Sequence, residues 1–183
     1  MRPFLALARF AAGSNACLSG VGRRRHSWRM PSAAFTPIGH LETPWATPAD
    51  CPRNGRQVQP VPECRAVLEP RWHEGLLGLE GFSHLILLYW LNKAPPARLS
   101  FTPPFDDQPR GVFATRAPFR PNPIGLSVVR FLGFAAPGVL RVENLDCVDG
   151  TPLLDIKPYL PSTDAEPEAT MGWLAPHRTP RGD

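Results

Sequence analysis

Residues 111–127 read GVFATRAPFRPNPIGLS, and this stretch decides how the rest of the chain is interpreted. It begins with a short β-type run over residues 112–115, and apolar sequence resumes at Gly125. Pro121 and Pro123 fix their own φ angles and bias the preceding residues towards extended backbone, so this segment is not an ordinary helix. We therefore predict a stiff loop between two strands.

The same loop carries polar groups suited to holding a ligand. Arg116 and Arg120 supply guanidinium groups, Asn122 supplies an amide, and Gly125 allows another molecule to approach the backbone closely. A rigid structural turn is the simpler interpretation, because proline and glycine punctuate loops in most proteins. The residues alone leave both interpretations open.

Composition favours β structure. The chain has 183 residues, enough for one ordinary domain, and 24 of them are proline, which argues against a helical bundle and for short strands joined by irregular loops. The net charge is +4, but six arginines and no acid lie in the first 29 residues. Removing those six from +4 leaves −2, so the basic pI of the whole chain does not indicate nucleic-acid binding.

The first 33 residues are expected to be a leader that contributes little to the fold. They are rich in arginine, alanine and serine, the composition of a mitochondrial transit peptide. Alternatively Met30 is the true start, because a natural beginning, MPSAAFTPIGHLETP, follows from there. We expect a cytoplasmic protein, or a mitochondrial one if the leader is a transit peptide. No apolar run is long enough to cross a membrane, so we expect no membrane partner.

The cysteines do not indicate a metal site. Cys17, Cys51, Cys64 and Cys147 are widely spaced and form no CxxC pair, so neither zinc nor another metal is expected. Reduced thiols in an intracellular protein are the simplest expectation.

The apolar run HLILLYWL, residues 84–91, is the strongest strand signal. A continuous run of this length is typical of a central strand covered on both faces, or of a barrel stave. Shorter β-type segments lie at 34–42, 63–68, 126–134, 139–145 and 153–156, and residues 71–79 are compatible with one or two helical turns. We predict an all-β fold over residues 34–161, a small closed or nearly closed barrel of six or seven short strands with long proline-rich loops and little helix. Residues 162–183 form a tail expected to be mobile or to lie along a neighbour.

Several classes of enzyme receive no support. The chain has no recognisable nucleophile arrangement, no GxGxxG dinucleotide motif and no phosphate-binding GxxxxGK[ST] loop. Covalent catalysis and nucleotide hydrolysis are therefore poorly supported. What remains is a site that binds two polar ligands and promotes their reaction by holding them together.

Three separated motifs resemble one known family. GVFATRAPFRPNPIGLS, LEGFSHLILLYWL (residues 79–91) and LDCVDGTPLLDIKPYLP (residues 145–161) occur in the order found in the TsaA-like family, whose bacterial members are the TrmO-type tRNA adenine-N6-methyltransferases. The resemblance implies a single-sheeted β-barrel, S-adenosyl-L-methionine as cofactor, and a homodimer with cofactor sites near the subunit interface. The implied reaction methylates N6 of threonylcarbamoyladenosine at position 37 of tRNA.

The resemblance also assigns site residues by position. Cofactor contacts fall on four segments: Arg53, Asn54 and Gly55; Leu91 and Asn92; Arg116, Asn122, Ile124, Gly125 and Leu126; and Leu145 and Asp146. For catalysis, Asp149 or Asp155 is the candidate base, with Lys157 and Tyr159 orienting the reacting groups. Asp155 and Lys157 are two residues apart in a predicted strand, so their side chains point to the same side.

Two alternatives stay open. One is a noncatalytic S-adenosylmethionine-binding regulatory module, and the other is a methyltransferase acting on a different small molecule or RNA. Longer members of the resembled family carry a further C-terminal domain, so in this chain we expect the remaining surface, or the dimer partner, to supply the phosphate contacts to tRNA.

Overall fold

The computed structural model of this protein describes residues 34–177, which form a closed antiparallel β-barrel. The eight strands, in chain order, are β1 (Gly39–Glu42), β2 (Glu63–Leu68), β3 (His84–Trp90), β4 (Ser100–Phe101), β5 (Arg110–Gly111), β6 (Ile124–Ala136), β7 (Val139–Glu143) and β8 (Thr151–Pro158). Six of them close the barrel in the order β1–β2–β7–β6–β3–β8, while β4 pairs only with β5. The predicted small barrel of short strands is confirmed.

Between residues 34 and 177, helical structure is limited to short turns and one short α-helix. The 3₁₀ turns are Gly55–Gln57, Pro70–Leu76, Leu79–Gly81, Val112–Ala114 and Gly172–His177, and the single short α-helix is Pro161–Asp164. Two predictions of local structure need correction. The run at 112–115 is a 3₁₀ turn rather than a strand, because Thr115 donates both its backbone N–H and its hydroxyl to the carbonyl of Val112. The segment at 34–42 becomes a strand only from Gly39.

The barrel interior is filled by alternate residues of each strand. In β3, Leu85, Leu87 and Tyr89 point inward and are buried, and Leu140 and Val142 of β7 do the same. Because each barrel strand turns every second side chain inward, the closed barrel buries its own core without a covering helix.

The outer face of β3 and β6 is also apolar. Trp90 lies opposite Ile124 and Leu88 lies opposite Leu126, and the adjacent pair Ile86 and Val128 continues the same face. The exposed fractions are 47% for Trp90, 40% for Ile124 and 44% for Leu126. An antiparallel strand with one face in water normally alternates apolar and polar residues, so this apolar outer face explains the unbroken run in β3. We refer to these six residues as the apolar outer face.

The C-terminal tail contacts the loop that carries β4 and β5. Trp173 donates its indole N–H to the carbonyl oxygen of Ala114 at 2.9 Å, and its ring stacks on Phe105 with a centroid separation of 6.1 Å. The guanidinium of Arg110 lies 4.8 Å from the centre of the Trp173 ring. Within residues 162–177, the tail therefore packs on this chain's own loop.

Some predictions fall outside the described residues. The leader at 1–33, with Cys17, and the last six residues of the tail lie there. Cys51, Cys64 and Cys147 are free thiols, and burial raises the pKa of Cys147 to about 12. Within residues 34–177, no three His, Cys, Asp or Glu side chains converge as they would around a metal ion. No helix in this part of the chain has the length and apolar character needed to span a bilayer.

Candidate functional site

One edge of β6 has no strand partner over half its length. β6 pairs with β3 from Ile124 to Arg130 and with β7 only from Arg130 to Ala136, so among the described strands none covers the second edge over residues 124–129. Backbone carbonyls along this edge need other donors, because unpaired buried peptide groups are costly. We refer to residues 124–129 as the open edge of β6.

Two arginine side chains supply those donors. Arg116 donates from Nη2 to the carbonyl of Leu126 at 2.7 Å, and Arg56 donates from Nη2 to the carbonyl of Val128 at 3.1 Å. Each guanidinium has five N–H donors in a planar fork, so one bond to the strand leaves others to bind an anion. The open edge is therefore flanked by two positioned cations.

A buried polar cluster lies beside this edge. The Tyr89 hydroxyl is 2.8 Å from the Ser127 hydroxyl oxygen, and both groups donate to Oδ1 of Asp146, at 3.1 and 3.2 Å. Among the described residues none donates to the second carboxylate oxygen, Oδ2. The cluster thus holds one carboxylate oxygen in place and leaves the other to accept from a ligand.

Burial keeps the hydroxyl group of Tyr89 in this cluster protonated. Desolvation raises the pKa of Tyr89 well above its usual range, and the negative charge of Asp146 raises it further. The hydroxyl therefore remains a hydrogen-bond donor, which sets the orientation of the Asp146 carboxylate.

Two glycines permit the close packing around the cluster. A Cβ on Gly125 would lie 2.1 Å from Cε2 of Tyr89, so any larger residue would displace the tyrosine ring. A Cβ on Gly55 would lie 2.4 Å from the carbonyl oxygen of Asn144 and 2.7 Å from that of Leu145. The Gly55–Gln57 turn is consequently seated directly on the backbone that leads to Asp146.

The packing of the Gly55–Gln57 turn on Asn144 and Leu145 holds two predicted cofactor residues of the early loop, Asn54 and Gly55, in place. Asn54 caps the turn by accepting from the backbone N–H of Arg56 at 3.0 Å, and Gly55 is buried against Asn144 and Leu145. The side chain of Arg53 is exposed at the start of the turn.

The predicted residues around β3 and β6 also converge. The backbone N–H of Leu91 donates to the Pro123 carbonyl at 2.8 Å, and that of Ile124 donates to the Asn122 carbonyl at 2.8 Å. Asn92 follows directly and is exposed. The end of β3 is thus joined to the proline loop. The bond from Arg56 to Val128 connects β6 with the early loop, and the bond from Ser127 to Asp146 connects β6 with the segment that follows β7.

The two arginines of the proline loop have different roles. Arg120 donates from Nη1 to the carbonyls of Val112 and Thr115, at 2.9 and 2.8 Å, and so braces the loop from within. Arg116 is exposed and bonds only to the open edge among the described residues. Arg116 is therefore the better placed of the two to reach a ligand.

The four predicted catalytic residues do not lie together. Asp149 is exposed three residues after Asp146 and accepts from the backbone N–H of Thr43 at 3.0 Å. Asp155 binds Lys157 at 2.7 Å, which confirms that these two side chains share one side of β8. Tyr159 lies beside His84, at the other end of β3 from Tyr89. The five residues of extended chain from His84 to Tyr89 span about 17 Å. The assignment of the base stays a prediction.

The predicted site residues did not include Tyr89, Ser127 or Arg56; the sequence suggested Tyr89 only as an aromatic face for a sulfonium, and Arg56 only as a loop arginine that could reach an anion. Ser127 carries the signal that could have identified it, since it is a polar residue at an inward position of an otherwise apolar strand. Tyr89 is one of six successive apolar residues in β3, and Arg56 lies in a loop without periodicity, so neither had a comparable signal.

Comparison with known proteins gives consistent matches. Residues 40–165 match the model of the tRNA-methyltransferase O N-terminal domain. A probable S-adenosyl-L-methionine-binding protein of Pyrococcus abyssi is 42% identical over 140 residues, which cover 76% of this chain and 75% of that protein. The tRNA (adenine(37)-N6)-methyltransferase of Escherichia coli is 34% identical over 157 residues, covering 79% of this chain and 65% of that enzyme.

Solved structures agree with the sequence comparisons. The crystal structure of TrmO from Pseudomonas aeruginosa superimposes with a TM-score of 0.65 at 39% identity, covering 78% of this chain and 62% of that one. The chain thus spans less than two thirds of the length of the solved relative.

Proposed function

Because the chain belongs to the family of tRNA-methyltransferase O N-terminal domains, we propose that it is an S-adenosylmethionine-dependent methyltransferase that acts on tRNA. We further propose that it methylates N6 of threonylcarbamoyladenosine at position 37. The observation that carries the proposal is the Tyr89–Ser127–Asp146 cluster, which lies beside an open strand edge flanked by two arginines. Such a site can bind a zwitterionic nucleoside without any covalent link.

The residues present fit that cofactor. Arg116 retains N–H donors that suit the carboxylate of the methionyl part, and the second oxygen of Asp146 can accept from ribose hydroxyls. Gly55 lets the turn that carries Asn54 pack directly on the backbone of Asn144 and Leu145, which leads to Asp146. Asn54 and Asn92 provide amides at the rim that can read the polar edge of adenine.

Bound S-adenosylmethionine supplies an electrophilic methyl group on a sulfonium centre. The chain's own task is to hold the acceptor nitrogen in line with that group and to remove its proton. A carboxylate oxygen of Asp149 or Asp155 takes the proton from N6, whose acidity is increased by the attached carbamoyl group. Asp149 lies three residues from the cluster, whereas Asp155 is already paired with Lys157.

The experiment measures transfer of a radiolabelled methyl group to tRNA with and without the threonylcarbamoyl group. Transfer to the modified tRNA alone is the expected result. Asp149→Asn and Asp155→Asn are assayed in parallel, and we expect one of them to lose at least about 100-fold in rate, as for removal of a general base. Full activity in both variants would remove the proposed base.

A noncatalytic S-adenosylmethionine-binding module is the second candidate. It is favoured by the separation of Asp149 from the Asp155–Lys157 pair and Tyr159, and the name of the Pyrococcus abyssi relative refers to binding alone. Cofactor binding without transfer to either tRNA would support this candidate. Transfer to the unmodified tRNA or to a small molecule would instead indicate a methyltransferase with a different substrate.

We also propose that the chain forms a homodimer through the apolar outer face. The six apolar side chains of this face lie in direct register on β3 and β6, and none of them is buried by the described residues as the core side chains are. A second copy is the occupant that we propose, because symmetric dimers bury the same apolar patch on both subunits. Asp155 and Lys157 lie opposite Leu88 and Ile86 and therefore border that face.

A further inference from the structure

Positive charge is concentrated in one segment of an otherwise acidic domain. Residues 34–177 contain 12 Lys and Arg and 15 Asp and Glu, a net charge of −3. Residues 92–120 alone contain five Lys and Arg and two Asp, a net charge of +3. A polyanion approaching the barrel would therefore be attracted to this segment and repelled by most of the remaining surface.

Arginine side chains in this segment lie on aromatic rings. The guanidinium carbon of Arg98 is 5.9 Å from the centre of the Phe119 ring, and that of Arg120 is 5.6 Å from the centre of Phe113. Arg110 lies over Trp173 of the tail in the same way. Phe113 is 74% exposed.

The segment is held in a defined shape. The indole of Trp173 bonds to the carbonyl of Ala114, and Arg120 bonds to the carbonyls of Val112 and Thr115, so the turn bearing Phe113 is fixed from both sides. A fixed exposed ring is a better stacking platform than a mobile one, because little side-chain entropy is lost when a ligand binds.

Both ends of the segment lie in the candidate site. Asn92 begins it at the end of β3, and Arg116 near its other end bonds to the open edge of β6. A polymer bound along the segment would consequently have one of its residues beside the Tyr89–Ser127–Asp146 cluster.

We propose that this arginine–aromatic surface, formed by Arg98, Arg110, Phe113, Phe119, Arg120 and Trp173, binds the single-stranded anticodon loop of the tRNA substrate. This inference rests on the proposed function and deepens it. Unpaired RNA bases stack on aromatic rings and guanidinium planes, and their phosphates bind exposed cations. Phe113 supplies the stacking platform. Arg98, which has no carboxylate partner among the described residues, supplies a phosphate contact.

The test measures binding of a fluorescent anticodon stem-loop RNA to the full chain by anisotropy at several salt concentrations. Phe113→Ala is expected to weaken binding about tenfold, the loss typical of one stacked base. Arg98→Gln is expected to weaken binding and to reduce the slope of log affinity against log salt by about 0.7, the value for one single-strand phosphate contact.

Arg71→Gln is the matched control, because Arg71 lies 5.1 Å from the centre of the Trp72 ring but outside the segment. Its RNA affinity should equal that of the wild type, apart from the small long-range effect of removing one positive charge. Thermal unfolding and cofactor calorimetry confirm that each variant is folded with an intact site.

The outcomes separate this inference from the proposed function. If the wild type methylates modified tRNA while Phe113→Ala and Arg98→Gln bind RNA normally, the surface assignment is wrong and the proposed function stands. If the variants lose RNA binding but the wild type transfers no methyl group, the surface stands and the proposed function does not. Equal affinity for a fully paired duplex, or no RNA binding by the wild type, would also overturn the surface assignment.

Discussion

The hydroxyl of Tyr89 connects the barrel interior to the candidate site. It is the only polar atom of an otherwise apolar inward row in β3; it donates to Asp146 and lies 2.8 Å from the hydroxyl oxygen of Ser127. Both partners belong to segments that the chain brings together only on folding. A single side chain thus fixes the carboxylate that we propose as an acceptor for the cofactor.

Tyr89→Phe removes this hydroxyl without changing the packed volume. We expect a loss of about 1 kcal/mol in the free energy of unfolding near pH 7, the usual net contribution of such a bond, and several-fold weaker cofactor binding. The pKa of Tyr89 is raised by burial, so its protonated state stabilises the fold. This contribution is complete below pH 10, the ordinary pKa, and is lost as the pH rises further, at up to about 1.4 kcal/mol per pH unit.

The measurement is urea unfolding at pH 8 and at pH 10.5. Wild-type stability should fall between these values by more than that of Tyr89→Phe. Tyr159→Phe removes the other tyrosine of the chain and should keep the wild-type difference. Parallel pH dependences in all three proteins would show that Tyr89 is not the group that titrates.

At the scale of elements, the candidate site depends on the seating of the 3₁₀ turn Gly55–Gln57 against Asn144 and Leu145. Any Cβ on Gly55 would overlap backbone atoms rather than a flexible side chain, so the turn would have to move. Because Arg56 in this turn bonds to the open edge of β6, its displacement would also release that contact.

Gly55→Ala is therefore expected to weaken cofactor binding at least tenfold while lowering the free energy of unfolding by about 1–3 kcal/mol, the usual cost of overpacking. Isothermal calorimetry with S-adenosylmethionine measures the first effect and urea unfolding the second. Gly75→Ala is the control, because a Cβ at that position has no atom within 4 Å. Unchanged affinity in Gly55→Ala would exclude this turn from the site.

The elements differ in how far the sequence could predict them. β2 and the β6–β7 hairpin were predicted near their observed positions. Inward apolar residues recur with period two in these strands, and turn residues separate β6 from β7. The 3₁₀ turn at Val112–Ala114 was not predicted. Besides one local backbone bond, it is held by the side chains of Thr115 and Arg120, which form no periodic pattern in the sequence. The open edge of β6 was equally hidden, because it results from the different lengths of the paired strands.

At the scale of the whole molecule, two surfaces of opposite character adjoin the candidate site. The cationic segment 92–120 lies between β3 and β6 in the chain, and the apolar outer face is formed by those two strands themselves. If a second copy covers the apolar face, then the proposed RNA surface and the cofactor residues of each subunit lie near the dimer boundary. Dimerisation and substrate binding would then be coupled through the same pair of strands.

Trp90→Glu tests the dimer, because it places a charge on the most exposed residue of the apolar outer face, where burial against a partner would be costly. Light scattering coupled to gel filtration at micromolar concentration should show a dimer for the wild type and a monomer for Trp90→Glu. Leu77→Glu is the control: Leu77 is 80% exposed but lies outside the face, so this variant should remain dimeric.

A monomeric wild type, or a dimer that persists in Trp90→Glu, would contradict an interface on the apolar outer face. Far-ultraviolet circular dichroism shows whether Trp90→Glu still folds, which we expect because its side chain is 47% exposed and leaves the inward residues of β3 untouched. A folded monomer that has also lost cofactor affinity would place the cofactor residues at the subunit boundary. A folded monomer with unchanged affinity would show that each barrel binds the cofactor alone.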